Sequence, residues 1–261
     1  MAKSYSLSVK ALLYLVSKRT GKQLSGFQNI HSMVSLSDYP MVDIQVKEEM
    51  YENGCASLDF SGNMTLNKDF EQSIVTCANA EKTLIVTKKS SEAFENCIIY
   101  KNSHDNKNCS FSVVEMVDQS INSPCRITLL NKDEIIEYFC RIAAEICIND
   151  RFNVVWSVNS EYLYRYQKEE LARIVGNPEI EQILADSIQG KGKILSVCAM
   201  DGTHTVVEMS AILSDMACFL MEVEYEIKEN TYESVENIIF KSSNRATVLD
   251  NIMEAIGLSG E

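Results

Sequence analysis

The fold is decided at residues 219–228, which read FLMEVEYEIK. Every odd-numbered residue of this stretch is apolar, and four of the five even-numbered residues are glutamate or lysine. A period of two puts successive side chains on opposite faces of a β-strand. The stretch therefore predicts a strand with one buried face and one face in water, as in an antiparallel sheet that carries its core on one side.

Seven further strands are predicted around this one, because short apolar runs alternate with segments rich in Ser, Asn and Asp. Helices with apolar residues at three- and four-residue spacing precede and follow each set of four strands. The predicted strands are 84–86, 96–100, 111–117 and 126–130 in the first half, and 194–200, 205–213, 219–228 and 236–241 in the second. The predicted helices are 7–18, 41–53, one beginning at Asn67, one opening at Asn131, 160–175, 178–189 and 244–256.

Local signals mark several helix ends. Ser6 or Ser8 can cap the start of the first helix, and Gly54 can close the second in a left-handed conformation. Asn131 and Glu134 have the spacing of a capping box, in which each side chain accepts a hydrogen bond from the backbone of the other residue. These signals place the helix boundaries independently of the apolar pattern.

The two halves repeat the same order of elements. Residues 82–86 (KTLIV) match 193–197 (KILSV), and residues 67–72 match 177–182, with an offset of about 110 residues, as a duplicated unit requires. We therefore predict an α+β fold, an antiparallel sheet with flanking helices. In it, two helix-helix-four-strand-helix repeats, residues 1–150 and 151–261, have a quasi-twofold arrangement and pack as one globular unit.

Composition and charge limit the class of protein. Apolar residues make up 46% of the 261, which is enough for a substantial core. The net charge of -13 repels phosphate backbones and argues against nucleic acid as a ligand. The nine cysteines follow no disulfide or metal-binding spacing, and no apolar run approaches the length of a membrane span. A soluble, acidic, cytoplasmic protein without direct membrane contact is therefore expected.

No recognisable set of catalytic or metal-binding residues occurs in the sequence. His31, His104 and His204 are far apart and have no ligand spacing. Cys140 and Cys147 are seven residues apart on the apolar face of a predicted helix, so core packing explains them better than nucleophilic catalysis. We therefore expect no catalytic residue, no metal and no cofactor.

Two further patterns suggest chemistry but have simpler explanations. Residues 190–193, Gly-Lys-Gly-Lys, look like a phosphate loop, but such a loop needs a strand before it and a helix after it, and here the order is reversed. Glu222, Glu224 and Glu226 lie on the solvated face of the strand quoted above. Paired catalytic acids need partly desolvated surroundings, so these carboxylates are interpreted as surface groups.

Three passages are similar to one known family. They are the opening helix with Leu7, Val9, Ala11 and Leu12, the passage 58–66 (LDFSGNMTL) before the third helix, and the sheet that starts at 84–86. With the repeated order of helices and strands, they resemble the EspG-like secretion-associated chaperones of type VII (ESX) secretion systems over nearly the whole chain. The many Asn, Lys, Ser and Cys residues suggest a relative from a low-GC Gram-positive bacterium.

The resemblance implies a function in protein binding. Members of this family bind the helical tip of a secretion substrate in the cytosol and keep it soluble until export. The implied partner is a helical secreted protein of the WXG100-like, LXG-type or PE/PPE-like class. A monomer or weak homodimer is expected, acting as a chaperone or adaptor and not as an enzyme.

The resemblance also implies a binding surface. In the family, the loop between the second and third strands of the first half takes part in cargo binding, and here that loop is 102–108. Loops on a rigid sheet commonly carry recognition. The candidate partner-binding residues are the polar side chains Asn102, Ser103, His104, Asp105, Asn106 and Lys107, with Tyr162, Tyr166 and Met253 from second-half helices as the apolar part.

Two other functions stay open at this point. The antiparallel sheet can form a pocket for a small molecule or signal, lined by residues such as Met209, Phe219 and Tyr225. The chain can also be a hydrolase whose nucleophile has no recognisable motif.

Overall fold

The computed structural model describes residues 2–27, 39–61, 63–90, 94–103, 109–117, 120–146, 148, 155–159, 177–188, 191–202, 204–214, 217–228 and 231–258. Within these residues the protein is a mixed α+β structure with six α-helices, one ten-stranded sheet and one two-stranded ribbon. The predicted α+β class with a large antiparallel sheet is confirmed. The predicted helix 160–175 lies outside the described residues, and the equivalence of the two repeats stays a prediction.

The elements have the following bounds. The helices are α1 (Val9–Thr20), α2 (Tyr39–Glu52), α3 (Lys68–Ala78), α4 (Lys132–Ile142), α5 (Pro178–Ile188) and α6 (Arg245–Ala255), with a short 3-10 helix at Ala143–Glu145. The strands are β1 (Ser4–Ser8), β2 (Ala56–Leu58), β3 (Met64–Leu66), β4 (Lys82–Lys89), β5 (Phe94–Ser103), β6 (Cys109–Met116), β7 (Pro124–Leu130), β8 (Val155–Asn159), β9 (Lys193–Asp201), β10 (His204–Leu213), β11 (Cys218–Lys228) and β12 (Thr231–Ser243).

In two parts of the sheet, β4 to β7 and β9 to β12, strands that are neighbours in the sheet are also consecutive in the chain. The ten-stranded sheet has the order β1-β7-β6-β5-β4-β9-β10-β11-β12-β8, and β2 pairs with β3 in the separate ribbon. Neighbours such as β5 and β6 pair antiparallel, with Tyr100 opposite Ser112. The stretch at residues 219–228 is β11, in which Phe219 is buried and Glu222 is exposed, as the alternation predicts.

The beginning of the chain differs from the prediction. Residues Ser4–Ser8 form a strand that pairs with β7, and α1 starts only at Val9. Tyr5 and Leu7 are buried whereas Ser4 and Ser6 are exposed, so the period at this point is two and not three to four. Ser8 then acts as the N-cap, since its hydroxyl accepts a hydrogen bond from the backbone N–H of Ala11.

Besides β1, three short strands were not predicted from the sequence. They are β2, β3 and β8, of three, three and five residues. A period of two needs several repeats before it stands out from chance, and strands of this length do not provide them. The position of β8 depends on its pairing with β12, which lies far from it in the chain. No local sequence pattern indicates such a pairing.

The predicted capping box of α4 is confirmed. The backbone N–H of Glu134 donates to Asn131 Oδ1 at 3.0 Å, and the N–H of Asn131 donates to Glu134 Oε2 at 3.1 Å. Gly54 follows the end of α2 with a φ of 64°, the left-handed conformation expected there. Local capping chemistry therefore set these helix ends as the sequence indicated.

The chain forms two compact units, each built from several separate segments. The first contains residues 1–86, 95–138 and 198–206, and the second contains 87–94, 139–197 and 207–261. In the first unit, α1 is buried on almost every side because it packs against α2, α3 and β1. Its core also contains Phe70, whose ring centroid lies 5.2 Å from that of Tyr5.

The second unit has its own core. Ile180 and Leu184 of α5 pack with Phe219 and Phe240 of the sheet, and the ring of Trp156 lies 5.6 Å from that of Phe219. Arg245 at the start of α6 donates to the backbone carbonyls of Ala144 and Ile146, which follow α4. Among the described residues of either unit, no helix is both long and apolar enough to cross a membrane.

Candidate functional site

The predicted binding loop is shorter than the sequence indicated. Asn102 and Ser103 belong to β5, where they pair with Ser110 and Cys109. Asn102 is buried and lies two residues beyond Tyr100, on the same face of the strand as that core residue. Hydrogen bonding in the β5–β6 hairpin therefore extends further than the polar sequence suggested, and the loop begins after Ser103.

The other predicted binding residues are only partly covered. His104, Asp105, Asn106 and Lys107 lie outside the described residues, as do Tyr162 and Tyr166. Met253 lies on α6 of the second unit and is partly buried, between buried Ile252 and exposed Glu254. Their part in binding therefore stays a prediction.

A polar cluster lies beneath α4 in the first unit. The Tyr138 hydroxyl lies 2.9 Å from Glu115 Oε1 and 3.1 Å from Cys97 Sγ, and Arg126 Nη2 lies 2.7 Å from Glu115 Oε2. Burial raises the pKa of the Tyr138 hydroxyl, and it raises the pKa of the Cys97 thiol to about 12; in both groups it is the main cause of the shift. Both groups therefore keep their protons at neutral pH, and the hydroxyl donates to the carboxylate.

Buried thiols elsewhere in the first unit have the same character. Burial raises the pKa of Cys55 to about 11 and that of Cys125 to about 12. The thiolate is the reactive form of cysteine, so these side chains are poor nucleophiles and poor metal ligands at neutral pH. Within the described part of the chain, no three His, Cys, Asp or Glu residues are grouped so that they could hold a metal ion.

A small cavity of about 240 Å³ lies in the second unit, at the C-terminal end of α5. Its lining includes Asp186, Ser187, Lys191 and Lys193. Ligand pockets usually measure about 300–1,000 Å³ and are mostly apolar, so this cavity is smaller and more polar than a typical one. Phe219, proposed from the sequence to line a ligand pocket, is instead fully buried in the core of the second unit.

The β2–β3 ribbon of the first unit carries a turn that is closed by one side chain. Asp59 Oδ1 accepts from the backbone N–H groups of Ser61 and Asn63, both at 2.8 Å, and Oδ2 accepts from Asn63 Nδ2 at 3.0 Å. The Asp59 N–H donates to the Asn63 carbonyl at 3.0 Å. Hydrogen bonds from the side chain and backbone of Asn63 lower the pKa of the Asp59 carboxyl, so the turn keeps this charge.

The turn presents Phe60 to solvent. The exposure of this side chain is 113% of the reference value, the largest of any large apolar side chain in the described part of the chain, and the neighbouring Leu58 is 48% exposed. Isolated exposed apolar residues are common, whereas aromatic side chains are enriched among the residues that contribute most to the free energy of protein interfaces. The Asp-x-Ser-Gly-Asn composition between two short apolar runs is a turn signal that could have identified this hairpin from the sequence.

The ribbon is attached to the C-terminal end of α2. The Asn67 side chain donates to the Gly54 carbonyl, and the Asn67 N–H donates to the Cys55 carbonyl at 3.0 Å. The Cys55 N–H donates to the Met50 carbonyl at 2.8 Å, which joins the first residue before β2 to the last turn of α2. These bonds hold the ribbon in one position relative to that helix.

Helix α2 is in turn held to α1 by a charge cluster around Asp43. Tyr14 donates to Asp43 Oδ1 at 2.7 Å, Lys18 pairs with the same oxygen, and Lys47 Nζ lies 2.8 Å from Oδ2. Hydrogen bonds from Lys18, then from Lys47 and Tyr14, lower the pKa of Asp43 well below its ordinary value. The carboxylate is therefore charged throughout the physiological range.

Replacing Asp43 with asparagine is expected to lower the free energy of unfolding at pH 7 by about 1 kcal/mol, since the pairs are partly exposed. The folded-state pKa is lowered, so the carboxylate stabilises the protein above its unfolded pKa of about 4 and loses that effect as pH falls further. Urea unfolding of both proteins at pH 7 and pH 3 should show a difference that shrinks at the lower pH. Asp250→Asn, on the exposed face of α6, is the control, and an equal effect there would contradict the role of the cluster.

Comparison with known proteins gives no family assignment. No protein-family model matches the chain, and no curated protein matches it. Among solved structures, HtdX of Mycobacterium tuberculosis aligns at 8% identity over 91% of this chain and 98% of its own, with a TM-score of 0.15. A score this low carries no argument about fold or function.

Proposed function

We propose that this protein is a cytosolic, non-catalytic chaperone or adaptor, which binds the helical tip of a type VII secretion substrate and keeps it soluble for export. The observation that carries the proposal is Phe60, fully exposed at the tip of the ordered β2–β3 ribbon. This ribbon overlaps the passage 58–66, one of the three that resemble the EspG-like chaperones.

A preformed apolar tip suits the binding of a helical partner. Because Asp59 already holds the turn closed, little conformational entropy is lost when a partner covers Phe60. Complete burial of a phenylalanine side chain contributes about 1.5–3 kcal/mol, and aromatic anchors of this kind often dominate the binding free energy of an interface. A helical hairpin exposes an apolar tip of its own, and covering it would prevent aggregation.

Binding without chemistry is supported by the state of the titratable groups. The buried thiols described above are protonated at neutral pH, and Tyr138 and Glu115 hydrogen-bond to each other beneath α4. Catalytic groups usually have pKa values close to the working pH, whereas burial raises the pKa values of Cys97, Cys125 and Tyr138 away from it. A binding role therefore explains more of the described residues than a hydrolase does.

Co-expression with a helical-hairpin protein of the WXG100-like or LXG-type class tests this function. We expect the hairpin protein to move from the insoluble to the soluble fraction and to elute with this chain as a stoichiometric complex. Light scattering coupled to size-exclusion chromatography gives the stoichiometry. Hairpin proteins of both classes that stay insoluble, or that elute separately, would overturn the proposal.

A loop variant tests the surface implied by the family resemblance. Residues 104–107 are replaced by a Gly/Ser linker, which leaves Ser103 in place because it pairs with Cys109 in β6. We expect a melting temperature within about 2 °C of wild type, since the linker replaces only polar and charged side chains and leaves the strand pairing of Ser103 intact. Capture of the hairpin protein should weaken. Full capture by this variant would show that the binding site lies elsewhere.

A further inference from the structure

The outward face of α2 carries an unusual row of side chains. Val42, Val46 and Met50 face the core of the first unit, whereas Ile44 and Tyr51 on the opposite face are 59% and 56% exposed. Ile44 and Tyr51 are seven residues apart, which places them about 10 Å apart on one side of the helix. Glu48 is exposed and lies between them at helical spacing.

The charge along this stretch is mostly negative, although Lys47 follows Ile44 by three residues and Lys10 of α1 donates to Gln45. Residues 39–66 contain five acidic side chains and a single lysine. Asp43 is neutralised by Lys18 and Lys47, and Asp59 holds the turn of the ribbon. Glu48 and Glu52 remain exposed, and no residue in the described ranges forms an ion pair with either of them.

We propose that Ile44, Glu48, Tyr51, Leu58 and Phe60, named here the α2–ribbon surface, bind a basic amphipathic helix of the partner protein. The inference rests on the proposed function, because the helical nature of the partner comes from there. It adds where the helix docks and which charge it carries. Glu52, next to Tyr51, forms part of the acidic rim.

The spacing of the side chains favours a helix with lysine or arginine among its apolar residues. Two apolar groups about two turns apart with a carboxylate between them match a helix whose apolar residues repeat every seven positions. Such a helix places Lys or Arg between its apolar contacts, opposite Glu48. The ribbon follows α2 directly in the chain, and hydrogen bonds join it to the end of that helix, so one partner helix can contact both elements.

Charge disfavours a second copy of this chain as the occupant. A dimer with twofold symmetry brings the same surface patch of both subunits together, so Glu48 and Glu52 would face their own copies. Like charges juxtaposed in an interface are costly, and the net charge of -13 adds repulsion between whole molecules. A basic segment of a different protein meets neither obstacle.

Two synthetic peptides provide the test. Both have about 21 residues, enough for a helix, with leucine at the same positions seven residues apart. The remaining positions are mainly lysine in one peptide and mainly glutamate in the other. Fluorescence anisotropy with the full-length protein should show binding of the lysine peptide only. Its affinity should fall as NaCl rises from about 50 mM to about 500 mM, because salt screens exposed charges.

Variants locate the contact. Phe60→Ser and the pair Ile44→Ser with Tyr51→Ser should each lower the affinity for the lysine peptide at least about tenfold, as expected for apolar anchors. Glu48→Lys combined with Glu52→Lys should lower it about tenfold or more and remove most of the salt dependence. Val206→Ser and Glu137→Lys, exposed residues of the first unit on other elements, are the matched controls and should change affinity less than about twofold.

Several results would overturn the inference. These are equal binding of the glutamate peptide, an effect of Glu137→Lys as large as that of the paired charge reversal, or unchanged affinity for the lysine peptide in the variant that combines Ile44→Ser with Tyr51→Ser. A dimer that dissociates on Phe60→Ser substitution in sedimentation experiments would identify a second copy as the occupant instead. If a helical secreted protein is captured fully by the charge-reversal variant, the docking surface is wrong while the proposed function stands. If the lysine peptide binds as expected but no secreted helical protein is captured, the proposed function fails while the surface still binds basic helices.

Discussion

Replacing Phe70 with alanine is expected to lower the free energy of unfolding by about 3–5 kcal/mol. Phe70 on α3 is fully buried, and its ring centroid lies 5.2 Å from that of Tyr5 on β1. Removing the ring leaves a cavity where α3 and β1 meet in the core of the first unit. The loss combines the lost transfer free energy of the ring with the cost of that cavity.

Urea unfolding followed by far-ultraviolet circular dichroism measures this effect. Phe60→Ala is the matched control, because it removes the same ring from a fully exposed position in the same unit. Its effect on unfolding should stay below about 0.5 kcal/mol. A loss below about 1 kcal/mol for Phe70→Ala would mean that the core can collapse around the missing ring, contrary to the packing described.

Replacing Gly192 with alanine is expected to cost about 3 kcal/mol, because the position has no room for a methyl group. A Cβ atom built there would lie 2.3 Å from Ser187 Oγ and 2.8 Å from Ser187 Cα. The serine cannot move away freely, because its hydroxyl donates to the Ile183 carbonyl at 2.9 Å and its Cα is part of α5. The substitution therefore forces the end of α5 away from the segment that enters β9.

The fluorescence of Trp156 reports this change, since it is the only tryptophan and packs against Phe219 in the second unit. Gly54→Ala is the comparison, because its φ of 64° is unfavourable for alanine but nothing lies within 4 Å of the added Cβ. That variant should lose only about 1 kcal/mol, from backbone strain alone. Equal losses in the two variants would show that steric contact with Ser187 is not the cause.

The candidate surface connects stability and function in the first unit. Phe60 adds nothing to the core, yet Asp59 forms four hydrogen bonds across its turn, three with Asn63 and one with Ser61. Order without burial is what a preformed binding element requires, because the entropy of ordering is lost on folding and not on association. Substitutions at Phe60 should therefore affect partner binding strongly and unfolding weakly, which is the reverse of the pattern expected at Phe70.

Several features were determined by the sequence alone. The period-two alternation of residues 219–228 predicted β11, and the capping box of Asn131 and Glu134 predicted the start of α4. Gly54 predicted the end of α2. Each of these depends on residues within a few positions of one another, where dihedral preferences and local hydrogen bonds act. The mixed α+β class followed from the sequence because it also depends on local patterns, the periods of the apolar residues in helices and strands.

Which side chains are buried and which are exposed was decided only by the tertiary structure. Phe60 and Phe70 are ten residues apart in similar surroundings of polar neighbours, yet one is fully exposed and the other fully buried. Asn102 looks like a loop residue by composition, but the antiparallel pairing of β5 with β6 continues past it and places it on the core side. A side chain is buried when strands and helices from distant parts of the chain cover it. The hydrophobic free energy depends on the apolar area that these elements remove from water, and no local sequence pattern contains that information.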